Sequence, residues 1–147
     1  MGETRPVADS LIHATVVARY HAAGWRGVLI SGGSGAGKSD LALRLLGRGW
    51  RLVSDDYVHV FASGEGLYVT APETIRGRIE ARGLGIIGAC VQGVVRLVLA
   101  VDLVETAPER LPDPETRNLQ GRSVPLLRLA GFEASAVEKV AAAIAPL

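Results

Sequence analysis

Eight consecutive residues carry the clearest chemistry in this sequence: Gly32-Gly33-Ser34-Gly35-Ala36-Gly37-Lys38-Ser39. They match the phosphate-binding pattern G-x-x-x-x-G-K-[ST] without a gap. Glycines at these places let successive backbone N–H groups turn inward as a nest for an anion, which side chains would block. A helix leaving such a loop aims its positive N-terminal end at the same phosphates. Lys38 is then placed to reach the β- and γ-phosphates, and the Ser39 hydroxyl to coordinate Mg2+. The chain has two lysines against fourteen arginines, and one of the two is Lys38.

Phosphoryl transfer also needs carboxylates, to hold Mg2+ and to orient or deprotonate the nucleophile. Two stretches could supply them. Val98-Leu99-Ala100-Val101-Asp102 is an apolar run ending in an acid. Arg51-Leu52-Val53-Ser54-Asp55-Asp56 ends in a pair of acids shortly after Ser39. Spacing alone does not choose between them, since adjacent acids at a strand end also serve simply to cap the next loop.

The elements that must position these groups follow from hydrophobic patterning. Leu11 to Tyr20 is rich in β-branched and apolar residues and predicts a strand. A connection of about six residues, His21 to Arg26 with Gly24 as its turn residue, leads to a buried strand at Gly27 to Ser31 that enters the glycine loop. So short a connection predicts an antiparallel hairpin, because a parallel crossover needs a dozen residues or more. Asp40 to Leu46 predicts a short helix stopped by Gly47 and Gly49. Strands follow at 51–54, 57–61 and 67–71, with Ser63-Gly64-Glu65-Gly66 as the turn between the last two. Pro72-Glu73-Thr74 reads as a helix entry running towards Arg76 and Ile79. Residues 80–87 are punctuated by glycine and fit neither period. Val94 to Val101 predicts a buried strand ending at Asp102, and 105–121 a polar loop with three prolines. A last strand at 123–129 precedes an alanine-rich helix at 134–145, with Ser135 as cap and Glu138 three residues on.

Composition narrows the class. A chain of 147 residues suits one domain over 1–147, with 1–7 as a loose leader. A hydrophobic fraction of 48% with 21% charged residues is ordinary for a globular protein. A formal charge of +1, with basic residues spread along the chain, argues against nucleic acid as a partner. The single cysteine, Cys90, sits among apolar neighbours, which predicts a buried, inert thiol and a reducing compartment. With no apolar signal segment and no spanning run, a cytoplasmic protein without a membrane partner is expected.

Taken together, the entry strand, the glycine loop, Arg-Leu-Val-Ser-Asp-Asp at 51–56 and Glu-Ala-Arg-Gly-Leu-Gly-Ile-Ile at 80–87 resemble the catalytic domain of bacterial HPr kinase/phosphorylase. The last stretch is similar to that family's signature E-x-R-G-L-G-I-I, and the resemblance runs from about His13 to Gly88. It implies an α/β fold of the PEP-carboxykinase-like P-loop type, a mixed sheet with an antiparallel entry hairpin and flanking helices. It implies ATP and Mg2+ as cofactors, and transfer of phosphate to a serine of the phosphocarrier protein HPr, linked to the phosphotransferase system. By position it implies that Ser39 and Glu80 hold Mg2+, that Lys38 bridges the phosphates and that Asp55 takes the proton from the serine hydroxyl. It further implies that His13, Arg82 and Arg110 belong to the catalytic set, and that Asp102 is a structural strand end. A homo-oligomer, hexameric by resemblance, is expected.

The chain resembles the short, catalytic-domain-only form. It departs from the family's P-V-R-P-G-R-N segment, met here by Pro125-Leu126-Leu127-Arg128-Leu129-Ala130-Gly131. The kinase direction is therefore expected rather than dephosphorylation. Two other classes fit the glycine loop: a P-loop kinase of a small metabolite, with the loop around Arg110 as its lid, and a non-catalytic ATP-binding sensor module.

Overall fold

A computed structural model describes residues 10–21, 24–89, 92–106 and 108–147. The leader expected at 1–7 and the thiol of Cys90 lie outside the described residues.

Two neighbouring strands form the spine. β3 (Gly24–Gly32) and β9 (Val95–Val104) run parallel, with Ser31 beside Asp102. β2 (Thr15–His21) lies antiparallel to β3, so the expected entry hairpin is present. β4 (Arg51–Ser54) pairs antiparallel with the other edge of β2. On the far side of β9, β6 (Gly66–Thr70) takes its first residues and β11 (Arg122–Ala130) its last ones. β5 (Tyr57–Ser63) and β1 (Leu11–His13) extend the β6 side, and β10 (Glu115–Leu119) the β11 side. These strands make a nine-stranded mixed sheet, and β7 (Arg78–Ala81) with β8 (Gly85–Gly88) makes a separate two-stranded one.

The period-two alternation of strands sends successive side chains to opposite faces. Val17, Val28 and Ile30 thus join a core with helices α1 (Lys38–Leu46) and α2 (Ala136–Ile144). Val16, Ala18 and Leu29 face the other way, into a second core with Val58, Val69, Leu119 and Val124 where the sheet curls on itself. Each helix gives one stripe to the first core, Leu41, Ala42 and Leu45 from α1 and Val137, Val140 and Ile144 from α2.

Several boundaries differ from the sequence reading. The strand expected at 11–20 breaks at Ala14, whose N–H bonds to the Asp56 carbonyl, and its two halves pair with different partners. Gly24 is paired with His21 inside the hairpin rather than turning it. After Pro72 there is one 3-10 turn (Glu73–Ile75), and the chain goes straight into β7. Residues 80–87, which fit no period, form most of the β7–β8 hairpin, turned by Gly83 at φ 84° and Gly85 at φ 104°. The supposed loop at 105–121 holds β10, an edge strand whose outward residues are polar and so hide its alternation. Ser135 does stand at the N-cap of α2, but its side chain makes no capping bond.

Candidate active site

β3 delivers the chain to the glycine loop at the end of the sheet. Gly32 leaves little room for a side chain there, since a Cβ would lie 3.1 Å from the Leu103 Cβ and 3.2 Å from the Leu103 carbonyl. Gly35 at φ 81° and Gly37 at φ 99° take left-handed conformations, and Gly37 is the N-cap of α1. The loop closes on itself through Ala36 N–H to the Gly33 carbonyl at 3.0 Å. Lys38 folds over it, donating from Nζ to the carbonyls of Gly32 (3.0 Å) and Gly33 (3.2 Å).

Asp55, at the end of β4, is the hub of the site. It is 5% exposed. Ser39 Oγ donates to its Oδ1 at 2.9 Å and reaches Oδ2 at 3.1 Å. The fully buried Thr15 donates from Oγ1 to Oδ1 at 2.8 Å. The backbone N–H of Glu80 donates to Oδ2 at 3.1 Å. One carboxyl group thereby joins α1, β2 and β7, and three donors satisfy it where it is buried.

The next residue behaves differently. Asp56 is exposed and takes φ 68°, a conformation open to Asp among the non-glycine residues. That turn swings it into a cleft of about 370 Å3, lined also by His13, Lys38, Ser39, Glu80, Arg82 and Phe132. His13 sits beside Tyr57 across the β1–β5 pair, ring centroids 5.1 Å apart.

The structure therefore gathers His13, Lys38, Ser39, Glu80 and Arg82 around the loop. It does not gather all the expected residues. Asp55, expected to meet substrate, is buried and does not itself line the cleft, but it bonds to Ser39, which does. Arg110 is exposed and does not line the cleft; it belongs to the segment between β9 and β10. Asp102 is bound to Arg128 at 2.9 Å, and Arg128 also holds Glu115 at 2.9 Å. The Arg128 guanidinium keeps the Glu115 carboxyl below its ordinary value, and Glu115 raises Arg128 in turn.

Thr15 and Phe132 took no part in the sequence reading of the site, nor did Arg117, which donates to Ser31 Oγ at 2.7 Å just before the loop. Asp56 entered it only as the second of two adjacent acids, with no role of its own; Thr15 and Arg117 reach the site through strand pairing, and Phe132 through the turn after β11.

Oxygen donors suit Mg2+, which takes one or two protein ligands beside phosphate oxygens and water. Ser39 and the carboxylates of Glu80 and Asp56 are such donors on one cleft, so the residues present fit that ion.

Comparison with known proteins places this geometry in context. The model of the HPr Serine kinase C-terminal domain matches residues 8–127. The chain is 39% identical over 119 residues to the HPr kinase/phosphorylase of Geobacillus sp. (strain WCH70), covering 76% of this chain and 37% of that protein. It is 41% identical over 112 residues to the HPr kinase/phosphorylase of Limosilactobacillus reuteri (strain DSM 20016), covering 67% and 35%. The chain thus spans little more than a third of the length of these relatives. The solved structure of the Hpr(Ser) kinase/phosphatase from Coxiella burnetii superposes with a TM-score of 0.73 at 26% identity, covering 88% of this chain and 90% of that one. The fold is the PEP-carboxykinase-like P-loop type.

Proposed function

The chain belongs to the HPr serine kinase C-terminal domain family, and from this premise we propose that it transfers the γ-phosphoryl group of ATP, with Mg2+, to a serine hydroxyl of HPr. The observation that carries the reading is the Asp55 hub. It fixes the Ser39 hydroxyl and the backbone of Glu80 beside the phosphate loop, while Asp56 and Lys38 face the same cleft.

In this reading the backbone N–H groups of the loop and Lys38 hold the phosphates and balance the charge that spreads over the transferring group. Ser39 and Glu80 hold Mg2+, which when bound draws charge from the phosphate oxygens. Asp56 takes the proton from the incoming serine hydroxyl as its oxygen bonds to the γ-phosphorus and the bond to ADP breaks. Two facts favour Asp56 over Asp55 here: a base must reach the nucleophile, and the Asp55 oxygens are already occupied by Thr15, Ser39 and Glu80. His13 and Arg82 line the same cleft and complete the set. Only the kinase direction is proposed, since Pro125 to Gly131 lacks the second proline and the Arg-Asn ending of the family's dephosphorylation segment. Homo-oligomeric assembly, hexameric as in the family it resembles, and a cytoplasmic site of action belong to the same proposal. Among the described residues no helix is long and apolar enough to cross a membrane.

The test is incubation of the chain with HPr, Mg2+ and γ-labelled ATP. Label is expected on an HPr serine, reduced about a hundredfold or more in Asp56→Asn and in Lys38→Ala. Labelling of a small metabolite with none on HPr would overturn the HPr reading, and labelling that survives Asp56→Asn would remove that residue as the base.

A further inference from the structure

We propose that Phe132 is the stacking platform for the purine base of the bound nucleotide. This rests on the kinase reading above and deepens it.

Phe132 is 64% exposed, yet it is a wall of the phosphate cleft rather than a stray surface residue. One face of its ring, towards the distal end, lies over Gly37 of the glycine loop. The atoms nearest a Cβ built on Gly37 are its distal carbons, Cζ at 3.0 Å, Cε1 at 3.1 Å and Cε2 at 3.3 Å. With one face seated on the loop and the residue still largely exposed, the opposite face is left open, and an open face is what a nucleobase stacks on.

The ring is also held. The turn that carries it, between β11 and α2, is clamped to α1 by Arg44, whose guanidinium donates to the carbonyls of Gly131 and, at 3.4 Å, Glu133. Gly131 lies so close to the loop that a Cβ there would be 2.5 Å from the Ala36 carbonyl oxygen. Lys139 ties Glu133 to α2 at 2.7 Å. A platform fixed before the ligand arrives loses little freedom on binding.

Its place matches the way a nucleotide must lie. With phosphates on the N-terminus of α1, the transferred end points to the carboxylates, on the flank of Ser39. Five residues separate Ser39 from Arg44, which puts them roughly 140° apart around the helix. The turn bearing Phe132 therefore stands on a different flank from Asp55 and Glu80. A base leaving the phosphates away from the carboxylates meets this ring. The chemical class is a purine nucleoside triphosphate, with stacking as the contact and no hydrogen-bond selection between bases implied.

The experiment compares affinities for ATP and for inorganic tripolyphosphate, both with Mg2+, by calorimetry on the whole chain and on Phe132→Ala and Phe132→Trp. Phe132→Ala should bind ATP on the order of tenfold more weakly and tripolyphosphate as the wild type does. Phe132→Trp should keep ATP affinity, and thermal unfolding of each variant reports that it is folded. Equal ATP affinity in wild type and Phe132→Ala overturns the platform while leaving the kinase reading intact. An equal loss for both ligands also overturns it, because the ring would then be shaping the phosphate loop. A wild-type chain that binds neither ligand overturns the kinase reading and the platform together.

Discussion

Asp55 and Asp56 are adjacent and chemically identical, and the fold gives them different surroundings. Asp55 is buried and bonded by three donors from three elements. Removing one buried donor leaves part of a carboxylate unsatisfied in a place water does not reach. Thr15→Val should therefore cost about 1 kcal/mol of stability by urea unfolding. It should also weaken Mg2+-dependent nucleotide binding, because Oδ1 would be shared with Ser39 alone. Thr15→Ser keeps the hydroxyl and should restore both. If Thr15→Val binds Mg2+ and nucleotide unchanged, Thr15 contributes packing only. The sequence made the acid pair legible, but not the division of roles. Nothing within residues 51–57 says which carboxylate faces Thr15, a residue forty positions earlier.

At the scale of elements, the site is a junction of β3, α1, β4, β7 and the turn after β11. The turn after β11 lies close against the phosphate loop. Gly131→Ala would set a Cβ 2.5 Å from a backbone oxygen and 3.0 Å from Leu103 Cδ1, and neither the loop nor the strand end can give way cheaply. An overpacking cost of about 1–3 kcal/mol is expected, read as a lower urea midpoint, with weaker ATP binding as Phe132 moves off its seat. A midpoint equal to wild type would show that the turn can shift freely. The strands at 51–54 and 57–61 were readable because apolar residues alternate or cluster there. β10 was not, because an edge strand with one buried apolar residue, Leu119, carries too little pattern. The β7–β8 hairpin escaped for the opposite reason, since its exposed Leu84 and Ile86 break the inside-outside rule.

Across the molecule, the curled sheet is tied at its polar end by Arg128, which bridges Asp102 on β9 and Glu115 on β10. Glu115 is held below its ordinary pKa in the folded chain by that guanidinium. Its contribution to stability is thus fully present above the unfolded carboxylate value and is lost as pH falls through the lower folded one. In acid titrations of unfolding, wild type should lose stability faster than Glu115→Gln below the ordinary carboxylate range. The gap between them should shrink in high salt, because the pair is largely exposed. Parallel acid limbs for the two proteins would mean that the bridge contributes nothing.

The sequence by itself determined the phosphate loop, the strand before it and the helix after it. These depend on contiguous residues, where glycine conformations and short-range periodicity act. It also determined the antiparallel entry, because a connection so short leaves the chain no other way back. Tertiary structure alone decided that Asp56 rather than Asp55 enters the cleft, that Thr15 supports the hub and that Phe132 stands over Gly37. Each of those facts depends on strand register and on packing between residues far apart in the chain, where a shift of one position would turn a side chain to the opposite face.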